Sequence, residues 1–132
     1  MLHRLAWSSV PSLHFSEARL NEIIAPARRA NARNHISGML IFTGAHFLGI
    51  LEGEEHDLAD LWGRLERDPR HRRLIRIGIE PCAERWFPKW LMAYTDHTVL
   101  GAQIETLRAP PMPFAMPWSE SMHPMMLRAD SM

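Results

Sequence analysis

Apolar residues recur along the chain with two different periods, and these periods predict both strands and helices. An apolar side chain at every second position, as in residues 74–80 (LIRIGIE), is typical of a strand with one buried face. Gly44 and Ala45 separate two short apolar runs, and this pattern predicts a β-hairpin. On these grounds we predict strands over residues 2–8, 39–43, 47–51, 74–80 and 90–94.

Two other segments carry apolar residues at the spacing of a helix. The segment 16–33 can begin at Ser16, which is a favourable N-cap, and Pro26 should kink it because proline has no N–H to donate. The segment 54–67 begins with acidic residues, which suit a helix N-terminus, and ends before Pro69. The first helix is expected to bury Leu20, Ile23, Ile24 and Ala27, and the second Leu58, Leu61, Trp62 and Leu65.

The order of these elements predicts an α+β domain of ferredoxin-like β-α-β-β-α-β architecture, with a fifth strand added to a mixed sheet. Right-handed crossovers would place both helices on one face and the first strand beside the third. The other face is expected to be open, apart from a short helix over 98–107. Residues 110–132 hold five of the ten prolines and six of the nine methionines. We therefore predict a domain over 1–97 and a C-terminal extension over 98–132, whose end is a Pro/Met-rich tail.

Composition narrows the possible functions. Fifteen basic and fifteen acidic residues cancel, so nothing in the net charge favours nucleic acid or an anionic membrane. No apolar run approaches the roughly 20 residues of a membrane-spanning helix, and no signal peptide is evident. Cys82 is the only cysteine, which rules out an internal disulfide and favours a cytoplasmic location.

Two features raise the question of a metal or an anion site. The eight histidines include no pair at His-x-x-x-His spacing, and no carboxylate completes a known ligand set, so no metal site is predicted. Arginines crowd the stretch from Arg64 to Arg76, which can be a solvated helix end, a phosphate site or a nucleic-acid surface. The lack of aromatic residues for base stacking disfavours nucleic acid.

Four segments, in this order, resemble the BLUF family of blue-light-sensing flavin domains. The resemblance extends over roughly residues 2–94 and implies that FAD or FMN binds with its ring between the two helices. The segments are 2–9 (LHRLAWSS), 31–42 (NARNHISGMLIF) with 47–53 (FLGILEG), 68–71 (DPRH) and 84–92 (ERWFPKWLM).

The resemblance also implies roles for individual residues. Asn31 matches the asparagine that hydrogen-bonds the flavin ring, although an asparagine at this point can also simply end the helix. Arg70 and His71 match the basic pair near the ribityl-phosphate end, and Trp90 and Met92 match a last-strand pair implicated in switching. Apolar walls of the flavin site would be Ile23, Ile24, Phe47 and Leu65.

Two positions depart from the family pattern. The family uses a tyrosine on the first strand and a glutamine on the third, which relay a proton and change a hydrogen bond to the flavin carbonyl; a small red shift reports this change. Here Trp7 and Gly49 occupy those positions. Indole donates a hydrogen bond but cannot accept one, and glycine has no side chain to relay a proton. The usual photocycle is therefore expected to be absent.

Three functions remain open at this point. The first is a non-enzymatic, BLUF-type sensor that works as a homo-oligomer with a downstream protein partner and contacts neither nucleic acid nor membrane. The second is a flavin-free relative that docks partners through the open sheet face and the tail. The third, an acylphosphatase-like hydrolase, rests on fold analogy alone, because no Gly-rich phosphate loop is present and no catalytic residue is predicted.

Overall fold

The computed structural model describes residues 1–12, 29, 31–94, 104 and 108. The helix predicted over 16–33 lies outside these residues except near its end, where residues 29 and 31–33 are helical. The short helix over 98–107 is described only at residue 104, and the Pro/Met-rich tail not at all. The described elements are β1 (Leu2–Pro11), β2 (Ser37–Phe42), β3 (Phe47–Glu54), α1 (Glu55–Arg67), β4 (His71–Pro81) and β5 (Trp90–Tyr94).

The strands form one sheet in the order β4-β1-β3-β2-β5. The three pairings among β1 to β4 are antiparallel, whereas β5 runs parallel to β2, so the sheet is mixed. The predicted adjacency of the first and third strands is confirmed, because β1 pairs with β3 along eight residues from Leu2 to Ser9.

The predicted hairpin is confirmed between β2 and β3. Thr43 donates its N–H to the carbonyl of His46 at 3.0 Å, and its hydroxyl accepts the N–H groups of Ala45 and His46. Gly44 has a φ of 89°, which glycine adopts without strain. Several strands are longer than predicted. β1 continues to Pro11 because its last residues pair with the first residues of β4, although apolar and polar side chains no longer alternate there.

α1 begins and ends where its sequence predicts. Acidic Glu55 and Asp57 occupy its first turn, and Leu58 is its buried residue. Asp68 follows the helix with an extended backbone and donates its N–H to the carbonyl of Leu65, just before Pro69. No helix in the described part of the chain is long and apolar enough to cross a membrane.

The sheet has a hydrophobic core on each face. Ile104, from the segment predicted to form a short covering helix, does lie on the second face, but the expectation that the rest of this face is open is wrong. On the α1 face, Leu5 and Trp7 pack with Leu40, Phe47 and Leu58. The opposite face is covered by Phe87, from the loop before β5, and by the helical residue Ile104, both at most 2% exposed. The strand residues beneath them are fully buried: Ala6, Met39, Ile41, Leu48 and Ile50.

Gly38 allows β2 to approach β3 closely. Its φ is 151°, and a Cβ built there would collide with the carbonyl oxygen of Ile50 and lie 3.1 Å from the Cα of Leu51. A Gly38→Ala variant is therefore expected to lose about 3 kcal/mol of unfolding free energy, measured by urea denaturation. The matched control is Gly63→Ala on α1, where the nearest atoms belong to the flexible end of Arg67. Equal stability of the two variants would contradict this reading of Gly38.

Candidate functional site

Trp7 and Gly49 lie directly opposite each other on the paired strands β1 and β3. A Cβ built on Gly49 would lie 2.5 Å from Cε2 and 2.8 Å from Cζ2 of the Trp7 indole, and closer still to its Nε1. These distances are far inside van der Waals contact. The indole of Trp7 therefore fills the space in which a side chain at position 49 would begin. The two residues that are predicted to depart from the family pattern are thus complementary in volume.

The indole N–H of Trp7 has no hydrogen-bond acceptor among the described residues. Trp7 is only 5% exposed, so bulk solvent does not reach this donor. Buried polar groups in native proteins are nearly always paired, and an orphaned donor costs about 1–3 kcal/mol. Within the described structure, this N–H is therefore the strongest candidate for a donor that hydrogen-bonds a bound ligand.

Aromatic and apolar side chains surround Trp7 on the α1 face of the sheet. The rings of Trp7 and His71 meet edge to face, with their centroids 5.9 Å apart. Phe47, a predicted wall of the flavin site, stacks on Phe42 at 4.9 Å and is 5% exposed. Leu65, another predicted wall, is half-buried and packs against the same cluster. The two remaining predicted wall residues, Ile23 and Ile24, lie outside the described part of the chain.

His71 ties three elements together. Its Nε2 lies 2.6 Å from the carbonyl oxygen of Leu65 in α1, and its Nδ1 lies 2.7 Å from the hydroxyl of Ser9 in β1. Because a carbonyl only accepts, Nε2 carries the proton and donates it. Both ring nitrogens are engaged within the protein, and this arrangement leaves neither of them for a phosphate.

Arg70, the other predicted basic contact, pairs with Asp68. Its Nε and Nη2 donate to both carboxylate oxygens at 2.6–3.1 Å, a bidentate geometry. Burial alone would raise the pKa of Asp68, but the hydrogen bonds from Arg70 outweigh it and hold that pKa below its usual value. The hydrogen bond to Asp68 likewise raises the pKa of Arg70. The Arg70 side chain remains 50% exposed, so it can also face an anion in solvent.

Asn31 lies in the last helical turn before β2 and is 3% exposed. Its carbonyl accepts the N–H of Ile36 at 2.8 Å, while the carbonyl of Ala32 accepts the N–H of His35 at 3.3 Å. These two bonds form a Schellman motif, and His35 supplies its left-handed residue with a φ of 54°. The backbone of Asn31 helps to end the helix, but a different residue adopts the left-handed conformation.

Trp90 and Met92 lie on β5, opposite Gly38 and Leu40 of β2. Only their backbone positions belong to the described structure. Their predicted part in switching therefore stays a prediction.

A buried ionic network on the opposite face was not predicted from the sequence. Glu52 is completely buried, and its carboxylate accepts the Nε–H of Arg4 at 3.0 Å. It also accepts the backbone N–H groups of Trp86 and Phe87, both at 2.8 Å. The guanidinium of Arg4 lies 3.6 Å from the centre of the Trp86 ring. The available signal was a carboxylate that interrupts the apolar run FLGILEG.

Arg85 extends this network to the end of the helix that contains Asn31. Its guanidinium donates to the hydroxyl of Ser37 and to the carbonyls of Glu52 and His35, at 2.6–2.8 Å. The loop before β5 is therefore fastened both to the sheet and to the turn that follows Asn31.

Comparison with characterised proteins identifies relatives of this chain. It is 30% identical over 78 residues to the blue light- and temperature-regulated antirepressor BluF of Escherichia coli (strain K12), covering 59% of this chain and 19% of that protein. It is 36% identical over 100 residues to the photoactivated adenylate cyclase subunit beta of Euglena longa, covering 75% and 12%. The chain thus spans less than a fifth of the length of these two relatives.

A solved structure shares the fold. The dark-state structure of BlrB, a BLUF protein, superimposes with a TM-score of 0.73 at 26% identity, covering 99% of this chain and 97% of that one. The predicted ferredoxin-like α+β fold class is confirmed by this match. The family of sensors of blue-light using FAD matches residues 2–93, and the chain therefore belongs to the BLUF family.

Proposed function

We propose that this chain is a flavin-binding sensor module, not an enzyme, that lacks the hydrogen-bond relay expected of its family. One observation carries the proposal: the indole of Trp7 occupies the space in which a side chain at Gly49 would begin. The exchange leaves no amide to rearrange and no phenol to give up a proton. It also leaves the indole N–H of Trp7 buried without an acceptor among the described residues, and a flavin ring, which presents acceptors, suits such a donor better than an apolar core does.

The described residues suit a flavin on the α1 face. In the proposed site, Phe47 and Leu65 contact the ring together with Ile23 and Ile24, and buried Asn31 hydrogen-bonds its polar edge. When bound, the flavin supplies the absorption of blue light. The half-exposed guanidinium of Arg70 is proposed to face the phosphate end. His71, both of whose nitrogens bond within the protein, is proposed to support the site and not to contact phosphate.

The output of such a sensor requires a partner. The names of the relatives describe an antirepressor and a photoactivated cyclase. By analogy we propose that this chain acts as a homo-oligomer on a downstream protein, with Trp90 and Met92 on β5 as the switching positions. We further propose that residues 98–132 form an extension of the domain and, from the single cysteine, that the protein is cytoplasmic.

The flavin-free alternative has lost its main structural support. It relied on an open sheet face and on the tail for partner docking. The centre of that face is a buried core, and the tail lies outside the described residues. No observation in the described structure favours the hydrolase alternative.

Flavin binding is tested with FAD and two asparagine variants. The purified protein is expected to be yellow and to release flavin on denaturation. Asn31→Ala should weaken FAD binding about five- to tenfold, the effect of one lost hydrogen bond, as measured by fluorescence titration. Asn34→Ala, in the turn three residues later, is the matched control and should bind as the unmodified protein does. A colourless protein that takes up no FAD would refute the proposal.

A further inference from the structure

The indole N–H of Trp7 is a donor held in place without an acceptor. Trp7 is only 5% exposed, and no described residue accepts its Nε1–H. Its ring is held on one side by the edge-to-face contact with His71 and on another by the backbone of Gly49. A donor that is fixed in this way requires no reorganisation to meet an acceptor, which is the condition for an effective binding contact.

The position of this N–H relative to the sheet is also defined. Nε1 is the indole atom nearest to where the Cβ of a residue at position 49 would lie. The N–H therefore stands close to the path that a side chain at position 49 would follow from β3 towards the α1 face. The N–H of Trp7 can thus donate a hydrogen bond in the region that an amide side chain from position 49 would otherwise reach.

The chemistry of an oxidised flavin complements this donor. The ring presents carbonyl oxygens and unprotonated nitrogens along its polar edge, and each of these accepts a hydrogen bond. Indole donates only, so it matches these atoms and offers nothing to a donor. Pairing the orphaned N–H with such an atom would remove the cost of a buried unsatisfied group at the moment of binding.

We propose that Trp7 is a flavin-binding residue whose indole N–H donates a hydrogen bond to an acceptor on the flavin ring. This inference rests on the proposed function and assigns to position 7 a flavin contact that, by the family pattern, a glutamine at position 49 would make. Trp7 is then a replacement anchor for the cofactor. The exchange at positions 7 and 49 would retain binding while it removes the relay.

The first test observes the N–H directly. The chain has five tryptophans, and the indole resonance of Trp7 can be assigned in a ¹⁵N–¹H spectrum through its contacts with the His71 ring. On titration with FAD this proton is expected to move downfield, as a new hydrogen bond requires. A Trp7 resonance that stays in place while FAD saturates the protein would overturn the inference.

The second test uses a variant in which a phenyl ring, which has no N–H, replaces the indole. Trp7→Phe should weaken FAD binding about tenfold, because the hydrogen bond that the buried indole N–H donates is lost. Trp86→Phe, on the opposite face beside Arg4, is the matched control and should leave the affinity unchanged. Unchanged affinity in Trp7→Phe would contradict the inference. Failure of the unmodified protein to bind FAD would instead refute the proposed function itself, and the two failures are therefore distinguishable.

Discussion

Gly49→Gln, made alone, is expected to lower the free energy of unfolding by about 3 kcal/mol, because the new Cβ would enter the indole of Trp7. The cost arises from overpacking a buried site in which the Trp7 indole already lies within 2.8 Å of the new Cβ. The measurement is urea denaturation of the unmodified chain and the variant. Gly63→Gln on α1 is the matched control, since its nearest neighbours are the flexible end of Arg67, and it should be neutral or slightly stabilising.

Adding Trp7→Tyr to Gly49→Gln is expected to recover most of the lost stability. The smaller ring would leave the space that the glutamine needs, so the two changes should not be additive, with a coupling of about 1.5 kcal/mol or more. When the double variant is loaded with flavin it should also show the light-induced red shift typical of the family, whereas each single variant should fail. Additive losses of stability in the two single variants and the double variant would contradict the complementary exchange.

Glu52→Ala is expected to cost about 4 kcal/mol of unfolding free energy, the largest effect predicted for a single substitution here. It would leave the buried charge of Arg4 without its main partner and the N–H groups of Trp86 and Phe87 without an acceptor. Glu55→Ala, an exposed glutamate at the start of α1, is the control and should change stability by less than about 0.5 kcal/mol. Similar melting temperatures for the two variants would show that the network does not hold the loop before β5.

The pattern of apolar residues was sufficient to predict most of the sheet. Alternation and turn residues identify all the described strands, and the acidic start and Pro69 delimit α1. These are local signals, which operate within a few residues. The strand ends were underestimated because pairing with a neighbour, as between Pro11 and His71, extends a strand where the side-chain pattern no longer does.

The features that the sequence did not predict depend on contacts between distant segments. The second core was predicted only in part, because the covering helix over 98–107 was expected but the contribution of Phe87, from a loop far from the central strands, was not. Glu52 can be buried only because Arg4 and the loop N–H groups at 86 and 87 converge on it. None of these partners is evident from residues next to Glu52, where the carboxylate simply interrupts an apolar strand.

At positions 7 and 49, the sequence predicts the chemical consequence of the two residues but not their direct contact. Their residue types alone predict that they depart from the family pattern, and the loss of a relay is expected from side-chain chemistry. Their direct contact follows from the register of β1 on β3, which pairs Trp7 with Gly49. Because of that register, the indole of Trp7 occupies the space that the missing side chain at position 49 leaves free.

Illumination of the unmodified, flavin-loaded protein tests the central claim most directly. Absorbance spectra would be recorded in the dark, after blue light and again after dark recovery. We expect no reversible red shift of the flavin bands, because Gly49 offers no side chain to change a hydrogen bond and the indole of Trp7 cannot accept one. A red shift that forms in blue light and recovers in the dark would contradict the account.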